Sequence, residues 1–375
     1  MTTTYHVADI LEQHLKQYQQ THALNFQQQR VCQHIQQCRT AQLGSQHWQC
    51  NSCEHSKQVY CSCRDRHCPR CQGHISEQWS EKQSKHVIDA PYFHLVFTLP
   101  HELNGLAKQY PTEVYCCLFT AVWQTLSQFA QRKKQLQGTL GMTGVLHTWG
   151  QSLAQHIHLH CLIPGGALTS SGKWQRVDKP YLFATKALAT VFRAKMLAGI
   201  RAKKLTVPES EVLMKKSWCV YAKANLSKPE TVLKYLGRYT RKGMLHEGRI
   251  KQITKQDVTF SYKDYRDNNT IKRMSLTGTE FIRRYLLHVL PSGFMRIRHY
   301  GILASACRAK KLDIIRKQTS IKKDKSRKKP VKTTTVEVNW PCPVCKHGQL
   351  KMQSLCVDNK KKHKINVQAI KIYSG

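Results

Sequence analysis

The stretch that decides the fold alternates histidine with apolar residues: Gln155-His156-Ile157-His158-Leu159-His160-Cys161-Leu162-Ile163. Successive side chains of a β-strand point to opposite faces, so this alternation predicts a strand whose three histidines share one face. The other face carries Ile157, Leu159 and Cys161 and suits a buried core. Neutral imidazole is the commonest metal ligand in proteins, and a metal site is therefore the first interpretation. Histidine rings that are merely partly exposed, with no metal, are the alternative.

A metal ion held by a pair of these histidines requires a third ligand. The preceding segment, His147-Thr-Trp-Gly-Gln151, would bring the amide oxygen of Gln151 to the ion if the two stretches formed a hairpin. His156 is the other candidate for this position. The sequence leaves both ligands open.

The charge of the chain is strongly unbalanced. Its 375 residues include 60 lysines and arginines against 22 acidic residues, a formal net charge of +38, which favours a polyanionic partner. We expect neither a membrane span nor a signal peptide, because there is no long apolar run and the first residues are polar. Nucleic acid is therefore the expected partner, with no membrane. In such a chain, expected in the cytoplasm, sixteen cysteines are better interpreted as thiols and metal ligands than as disulfides.

Two Cys-x2-Cys pairs lie close together, Cys50 with Cys53 and Cys68 with Cys71. Each pair can form a tight turn that offers two thiolates, and two such turns complete a tetrahedral zinc site. The spacing therefore predicts one structural Zn²⁺ on these four cysteines, with four unconnected buried cysteines as the alternative. Further residues between the pairs could form a second site with His47 or simply adjoin the first; they are Cys61, Cys63 and His67.

A further pair near the C-terminus, Cys342 and Cys345, offers half of a metal site. A pair without metal is an equal alternative, because no single partner is indicated. The residues that could complete the site are Cys356 and His363, with His347 as a competitor.

The segment from Ser227 to Gly243 predicts a helix. Ser227 and Glu230 have the spacing of a capping box, and Gly243 suits the C-terminal stop. Tyr235 and Tyr239 are four residues apart and therefore share one face of this helix. Considered alone, they would be two amphipathic tyrosines at the edge of a core. Beside a metal site, they become candidate nucleophiles.

The metal site, the tyrosines and the charge combine into one reaction. A divalent ion, Mg²⁺ or Mn²⁺, on the histidines would bind a scissile DNA phosphate and offset its charge. A tyrosine hydroxyl would attack in line, giving a covalent phosphotyrosine and a free DNA end. Two tyrosines on one face would allow two successive strand transfers. The candidate phosphate-binding residues are Arg64 and Arg66 among the cysteines, and Arg238, Arg241 and Lys242 on the helix.

These residues resemble those of the IS91 family of transposases, tyrosine enzymes with an HUH (His-hydrophobic-His) metal motif. The resemblance extends over nearly all of residues 30–310. The matching stretches are residues 38–40, 62–72, 93–100, 147–151, 156–166, 235–240 (Tyr-Leu-Gly-Arg-Tyr-Thr) and 280–301.

The resemblance implies an α+β fold, in which an HUH-type catalytic domain with a central antiparallel sheet and flanking helices follows a small zinc-binding domain. It assigns the catalytic ion to His158 and His160, and the nucleophilic role to Tyr235 and Tyr239. It also implies rolling-circle-like transposition through a 5′-phosphotyrosine, acting on single-stranded element ends and target. Such a protein is expected at the nucleoid, in the bacterial cytoplasm.

We expect four segments along the chain. They are an N-terminal helical and zinc-binding domain (1–90), the catalytic domain (91–307), a basic linker (308–340) and a C-terminal tail with its cysteine pair (341–375). Two other functions compete with transposition. A replication initiator or relaxase would share the same HUH chemistry. A non-catalytic zinc-dependent DNA-binding protein would have no use for two tyrosines beside a histidine pair.

Overall fold

The computed structural model describes residues 4–72, 82–226, 243–265, 267–319, 340–358 and 361–363. Helices and antiparallel sheets occur throughout these residues, so the predicted α+β class is confirmed. The predicted tyrosine helix, with Tyr235, Tyr239, Arg238, Arg241 and Lys242, lies outside the described residues. In the ranges given above, no helix has the length and apolar character needed to cross a bilayer.

The described helices are α1 (Val7–Gln19), α2 (Phe26–Gln37), α3 (Asn104–Gln109), α4 (Pro111–Gln131), α5 (Thr185–Ala202), α6 (Ser210–Lys215), α7 (Gly278–Leu286) and α8 (Arg308–Thr319). The described strands up to the central region are β1 (Ser45–Cys50), β2 (Ser56–Tyr60), β3 (Tyr92–Thr98), β4 (Gly141–Trp149), β5 (Gln155–Pro164), β6 (Gly166–Leu168), β7 (Trp174–Arg176) and β8 (Val220–Leu226). The remaining strands are β9 (Ile250–Ile253), β10 (Asp257–Asp264), β11 (Thr270–Thr277), β12 (Ile297–Gly301), β13 (Trp340–Pro341), β14 (Gln349–Asp358) and β15 (Lys361–His363).

The central sheet has five antiparallel strands in the order β12-β4-β5-β3-β8. Short β-rich runs at residues 92–100 and 142–147 of the sequence also predict strands, and with residues 155–163 they form the three middle strands of this sheet. Residues that face each other across antiparallel strands point to the same side of the sheet. His160 pairs with Val145 on β4 and with Val96 on β3, while the neighbouring Leu159 pairs with Leu146 and Phe97. The sheet therefore has one histidine-bearing face and one apolar face.

Two helices, α4 and α5, cover the apolar face. Helix α4 begins at Pro111, whose fixed backbone angle suits the first turn. Its contact with the sheet is close, because a Cβ at Gly144 of β4 would lie 3.1 Å from the ring of Phe119. The fully buried side chains of this layer include Leu118, Val122, Leu126, Phe192, Met196, Ile157 and Leu159. This core holds β5 rigidly and leaves its histidines on the opposite side.

A second core joins the N-terminal helices to the region after residue 243. Helices α1 and α2 pack with α7 and with the three-stranded sheet β11-β10-β9. Cys38, Cys68 and Cys71 belong to this same core. The buried hydroxyl of Tyr285 on α7 donates a hydrogen bond of 2.6 Å to the carbonyl of His67. The cysteine-rich segment is thus packed directly against the C-terminal half of the chain.

The predicted basic linker and C-terminal tail are partly wrong. Residues 308–319 form helix α8, and its Leu312 and Ile315 are buried in a core with Trp174 and Ile302. Strand β14 pairs antiparallel with β1, so the described C-terminal residues complete the N-terminal sheet β13-β14-β1-β2. A separate tail was expected because strand pairing between the two ends of a chain leaves no local sequence pattern.

Candidate metal centres

Three histidines converge on the face of the central sheet opposite helices α4 and α5. His147 on β4 is paired directly with His158 on β5, and His160 follows two residues later on the same face. Their ring nitrogens all lie within 4.8 Å of one another, and we call these three residues the histidine cluster. The spacing is suited to a single metal ion among three imidazoles.

Hydrogen bonds orient two of these rings. Nδ1 of His158 donates to the carbonyl oxygen of His156 at 2.8 Å. Nδ1 of His160 lies 3.0 Å from Nε2 of His94, a buried histidine on β3 whose ring stacks on it. A metal-bound histidine usually engages its other nitrogen in this way. Both His158 and His160 would therefore bind an ion through Nε2.

The rings are held in the neutral form that a metal requires. Burial lowers the pKa of His158 to about 4 and that of His94 to about 3. Burial and the neighbouring histidine rings lower the pKa of His160 far below its usual value. Since each folded-state pKa is depressed, these rings stay neutral at pH 7 and well below it.

The third ring of the cluster is not one that the sequence predicted. Gln151 lies in the turn after β4, where its amide donates to the hydroxyl of Tyr265 at 3.4 Å. His156 faces its neighbour His158, with ring centroids 4.8 Å apart, but it is not part of the cluster. Both candidates are thus replaced by His147, which begins the same stretch, residues 147–151, that suggested Gln151.

A register shift explains why His147 was missed. Trp149 pairs with Gln155, so an unbroken antiparallel register would place His147 opposite Ile157, on the apolar face. The register shifts by one residue between His147 and Trp149, and His147 faces His158 instead. A one-residue shift moves a side chain to the other face of a sheet. Periodicity alone does not reveal it.

The cysteines form two clusters instead of the one that was predicted. In the first cysteine cluster, Sγ of Cys71 lies 3.5 Å from that of Cys38 and 3.6 Å from that of Cys63. The second pairs Cys50 with Cys345 and Cys53 with Cys342, each at 3.7 Å between Sγ atoms. The members of the first are Cys38, Cys63, Cys68 and Cys71; those of the second are Cys50, Cys53, Cys342 and Cys345.

The single-site grouping of Cys50, Cys53, Cys68 and Cys71 is therefore corrected. Cys50 and Cys53 lie at the end of β1, where β14 brings in the C-terminal pair. Cys68 and Cys71 lie instead in the core that contains α2. Cys38, which completes their cluster, was missed, although residues 38–40 are part of the family resemblance.

Two other predicted roles are also corrected. His67 is not in either cysteine cluster: its Nδ1 donates to Asp65 at 2.9 Å and its Nε2 accepts from the backbone N–H of Leu290 at 3.2 Å. The guanidinium of Arg66 donates to the backbone carbonyls of Pro291 and Phe294 and is half-buried. Arg66 therefore joins the two halves of the molecule, whereas Arg64 is exposed and stays a candidate for phosphate contact.

Family models match both regions. One described as "Transposase zinc-binding domain" matches residues 10–99, and one described as "Putative transposase" matches residues 141–311. The first includes the whole first cysteine cluster and supports structural zinc. The second begins at β4 and includes the histidine cluster.

Two relatives are similar over most of the chain. "Putative transposase y4qJ" of Sinorhizobium fredii is 36% identical over 92% of this chain and 94% of its own length. The "Transposase for insertion sequence element IS801" of Pseudomonas savastanoi pv. phaseolicola is 28% identical over 72% of this chain and 68% of its own. No solved structure matches the chain. The chain belongs to the IS91 family of transposases, with a zinc-binding domain in its N-terminal part.

Proposed function

We propose that this transposase cuts and rejoins single DNA strands at an ion bound by the histidine cluster, with Tyr235 and Tyr239 as nucleophiles. The observation that carries the proposal is the convergence of three imidazoles, two of them oriented through Nδ1, on one face of a rigid antiparallel sheet. A non-catalytic DNA-binding protein needs no such site. Bound Mg²⁺ or Mn²⁺ would offset the charge of a scissile phosphate and orient it.

The reaction is a transfer of one phosphate ester. The tyrosine oxygen forms a bond to phosphorus while the bond from phosphorus to the 3′ oxygen of the neighbouring nucleotide breaks. The phenol loses its proton, and the departing 3′ oxygen gains one. The 5′ end of one strand remains on the protein as a phosphotyrosine until a free 3′ hydroxyl reverses the step at a new position.

Chain length supports the proximity of the tyrosines to the ion. Gly243 lines a cavity of about 590 Å³ together with Trp149, whose ring stacks on that of His147 with centroids 4.7 Å apart. Tyr239 precedes Gly243 by four residues, and four residues span at most about 14 Å. A tether of this length permits Tyr239 to approach the side of the cavity where Trp149 lies.

A covalent adduct is the direct test. Single-stranded oligonucleotides tiled across both ends of the mobile element, incubated with the protein and Mn²⁺, should give a protein–DNA species that survives denaturing electrophoresis. The Tyr235→Phe, Tyr239→Phe double variant should form none, because it lacks both proposed nucleophiles. Tyr60→Phe, which alters an exposed tyrosine on β2, is the matched control and should retain full adduct formation. An adduct of undiminished yield in the double variant would refute the assignment.

His94 is expected to act as a positioning residue. It contacts His160 and not the ion, and loss of such a partner costs about 10- to 100-fold in metal affinity. His94→Ala should therefore raise the Mn²⁺ concentration needed for half-maximal adduct formation by about that factor. The control is His299→Ala, which removes another largely buried histidine of the same sheet, bonded to Thr143 at 3.0 Å. Equal shifts in both variants would show that His94 has only a structural role.

A further inference from the structure

The second cysteine cluster has the geometry of a tetrahedral metal site. Four sulfurs bound to one Zn²⁺ at about 2.3 Å lie about 3.8 Å apart. The Sγ atoms of Cys50 and Cys345, and those of Cys53 and Cys342, are both 3.7 Å apart. Cys50 and Cys53 come from the N-terminal part of the chain, and Cys342 and Cys345 come from the C-terminal part.

Backbone hydrogen bonds support the thiolate form of Cys50 and Cys345. Sγ of Cys50 accepts from the N–H of Ser52, and Sγ of Cys345 accepts from the N–H of Gly348, both at 3.3 Å. Donors aimed at sulfur favour the charged form that binds a metal. Gly348 is also required sterically, because a Cβ at this position would collide with Sγ of Cys50.

The two cysteine turns are also joined directly. The backbone N–H of Asn51 donates to the carbonyl of Gln349 at 3.1 Å, and the N–H of Gln349 donates to the side-chain oxygen of Asn51 at 2.7 Å. This pairing continues the β1–β14 ladder to the edge of the cluster. Backbone hydrogen bonds between the two turns therefore fix the relative positions of the four sulfurs.

The sheet around this cluster has almost no hydrophobic core. Among its described residues, the buried apolar side chains are Cys50, Cys342 and Leu350, and every residue of β2 is exposed. A unit this small does not bury enough apolar surface to fold alone and needs a metal or another covalent staple. Four unbound thiols would not supply that stabilisation.

We propose that the second cysteine cluster is a second structural zinc site, which fastens the C-terminal strands to the N-terminal domain. The family model for the zinc-binding domain ends at residue 99 and that for the transposase ends at residue 311, so neither includes Cys342 or Cys345. The first cysteine cluster is closed within residues 38–71, whereas the second is completed only by residues at the other end of the chain. Zinc at this site makes the two ends of the chain one folded unit.

Zinc stoichiometry tests the proposal. Protein carrying His158→Ala and His160→Ala, which removes the histidine cluster as a competing zinc site, should hold two Zn²⁺ per chain when purified with zinc and analysed by inductively coupled plasma mass spectrometry. In this background, the Cys342→Ser, Cys345→Ser double variant should hold one. Cys356→Ser, on β14 but outside both cysteine clusters, is the matched control and should keep two. A parent protein with one zinc, or a double variant that still holds two, would overturn the proposal.

Hydrogen exchange gives a second readout that does not depend on yield or activity. In the double variant, backbone amides of β1 and β14 should exchange faster, while those of β4 and β5 should be unchanged. Co²⁺ replacing Zn²⁺ should give a thiolate-to-metal charge-transfer band of about half the wild-type intensity. Unaltered exchange in β14, together with an unaltered cobalt spectrum, would show that these four sulfurs bind no metal.

Discussion

Replacing His147 by alanine is expected to reduce ion-dependent adduct formation by more than about 100-fold, since loss of a second-shell group alone costs up to that factor. The physical reason is that His147 lies across from His158 and supplies the third imidazole of the cluster. His156→Ala is the matched control, because this histidine lies on the same face of the sheet, on the neighbouring strand β5, but outside the cluster. The rate of adduct formation by the His156→Ala variant should stay within a few-fold of the wild-type rate. The measurement is the rate of adduct formation as a function of Mn²⁺ concentration.

Calorimetric titration of Mn²⁺ separates ion binding from the chemical step. His147→Ala should weaken the binding of Mn²⁺, whereas His156→Ala should leave it nearly unchanged. If His156→Ala were the more damaging substitution, the ion would lie nearer the start of β5. The register of β4 against β5 would then not define the site.

Loss of the first cysteine cluster should have the largest effect on stability. Cys68→Ser removes one of four sulfurs in a core shared with α1, α2 and α7. Structural zinc contributes about 10–16 kcal/mol of apparent binding free energy in small zinc modules, so losing even a third of this costs several kcal/mol. The midpoint of thermal unfolding should fall by about 7–20 °C, at about 2–4 °C per kcal/mol.

Cys61→Ser provides the control for this experiment. Cys61 is only partly buried and belongs to neither cluster. Its substitution should change the unfolding temperature by no more than a degree or two, and the zinc content not at all. A Cys68→Ser protein with wild-type zinc content and stability would mean that the first cluster is a set of packed thiols.

Local patterns predicted the central sheet well. The alternation in residues 155–163 predicted β5 and its two faces, because a side-chain period of two is a property of the strand itself. The apolar runs at residues 92–100 and 142–147 predicted its two neighbours. The third residue of the histidine cluster could not be predicted in this way. The register shift after His147 decides which face of the sheet its ring occupies, and the pattern of a single strand does not encode a shift between two strands.

The cysteines show the same difference between local patterns, which the sequence reveals, and long-range packing, which it does not. Each Cys-x2-Cys pair was recognised from spacing, which is local. How the pairs combine depends on strand pairing between residues 45–50 and 350–356, and on α2 bringing Cys38 to Cys71. Nearness in sequence favoured joining Cys50 and Cys53 with Cys68 and Cys71. Three-dimensional packing instead joins Cys50 and Cys53 with Cys342 and Cys345, and Cys68 and Cys71 with Cys38 and Cys63.

The bonds of Arg66 and His67 have a consequence for how DNA binding will respond to salt. Both residues connect the zinc-binding segment to the region before β12 through backbone carbonyl and amide groups, and His67 is buried. Counterions screen exposed charges strongly and buried hydrogen bonds very little. Rising ionic strength should thus detach DNA from the surface while the two halves of the protein keep their relative orientation. The slope of the logarithm of the DNA-binding constant against the logarithm of salt concentration then reports the number of phosphate contacts released. The slope has no contribution from a loosening of the protein itself.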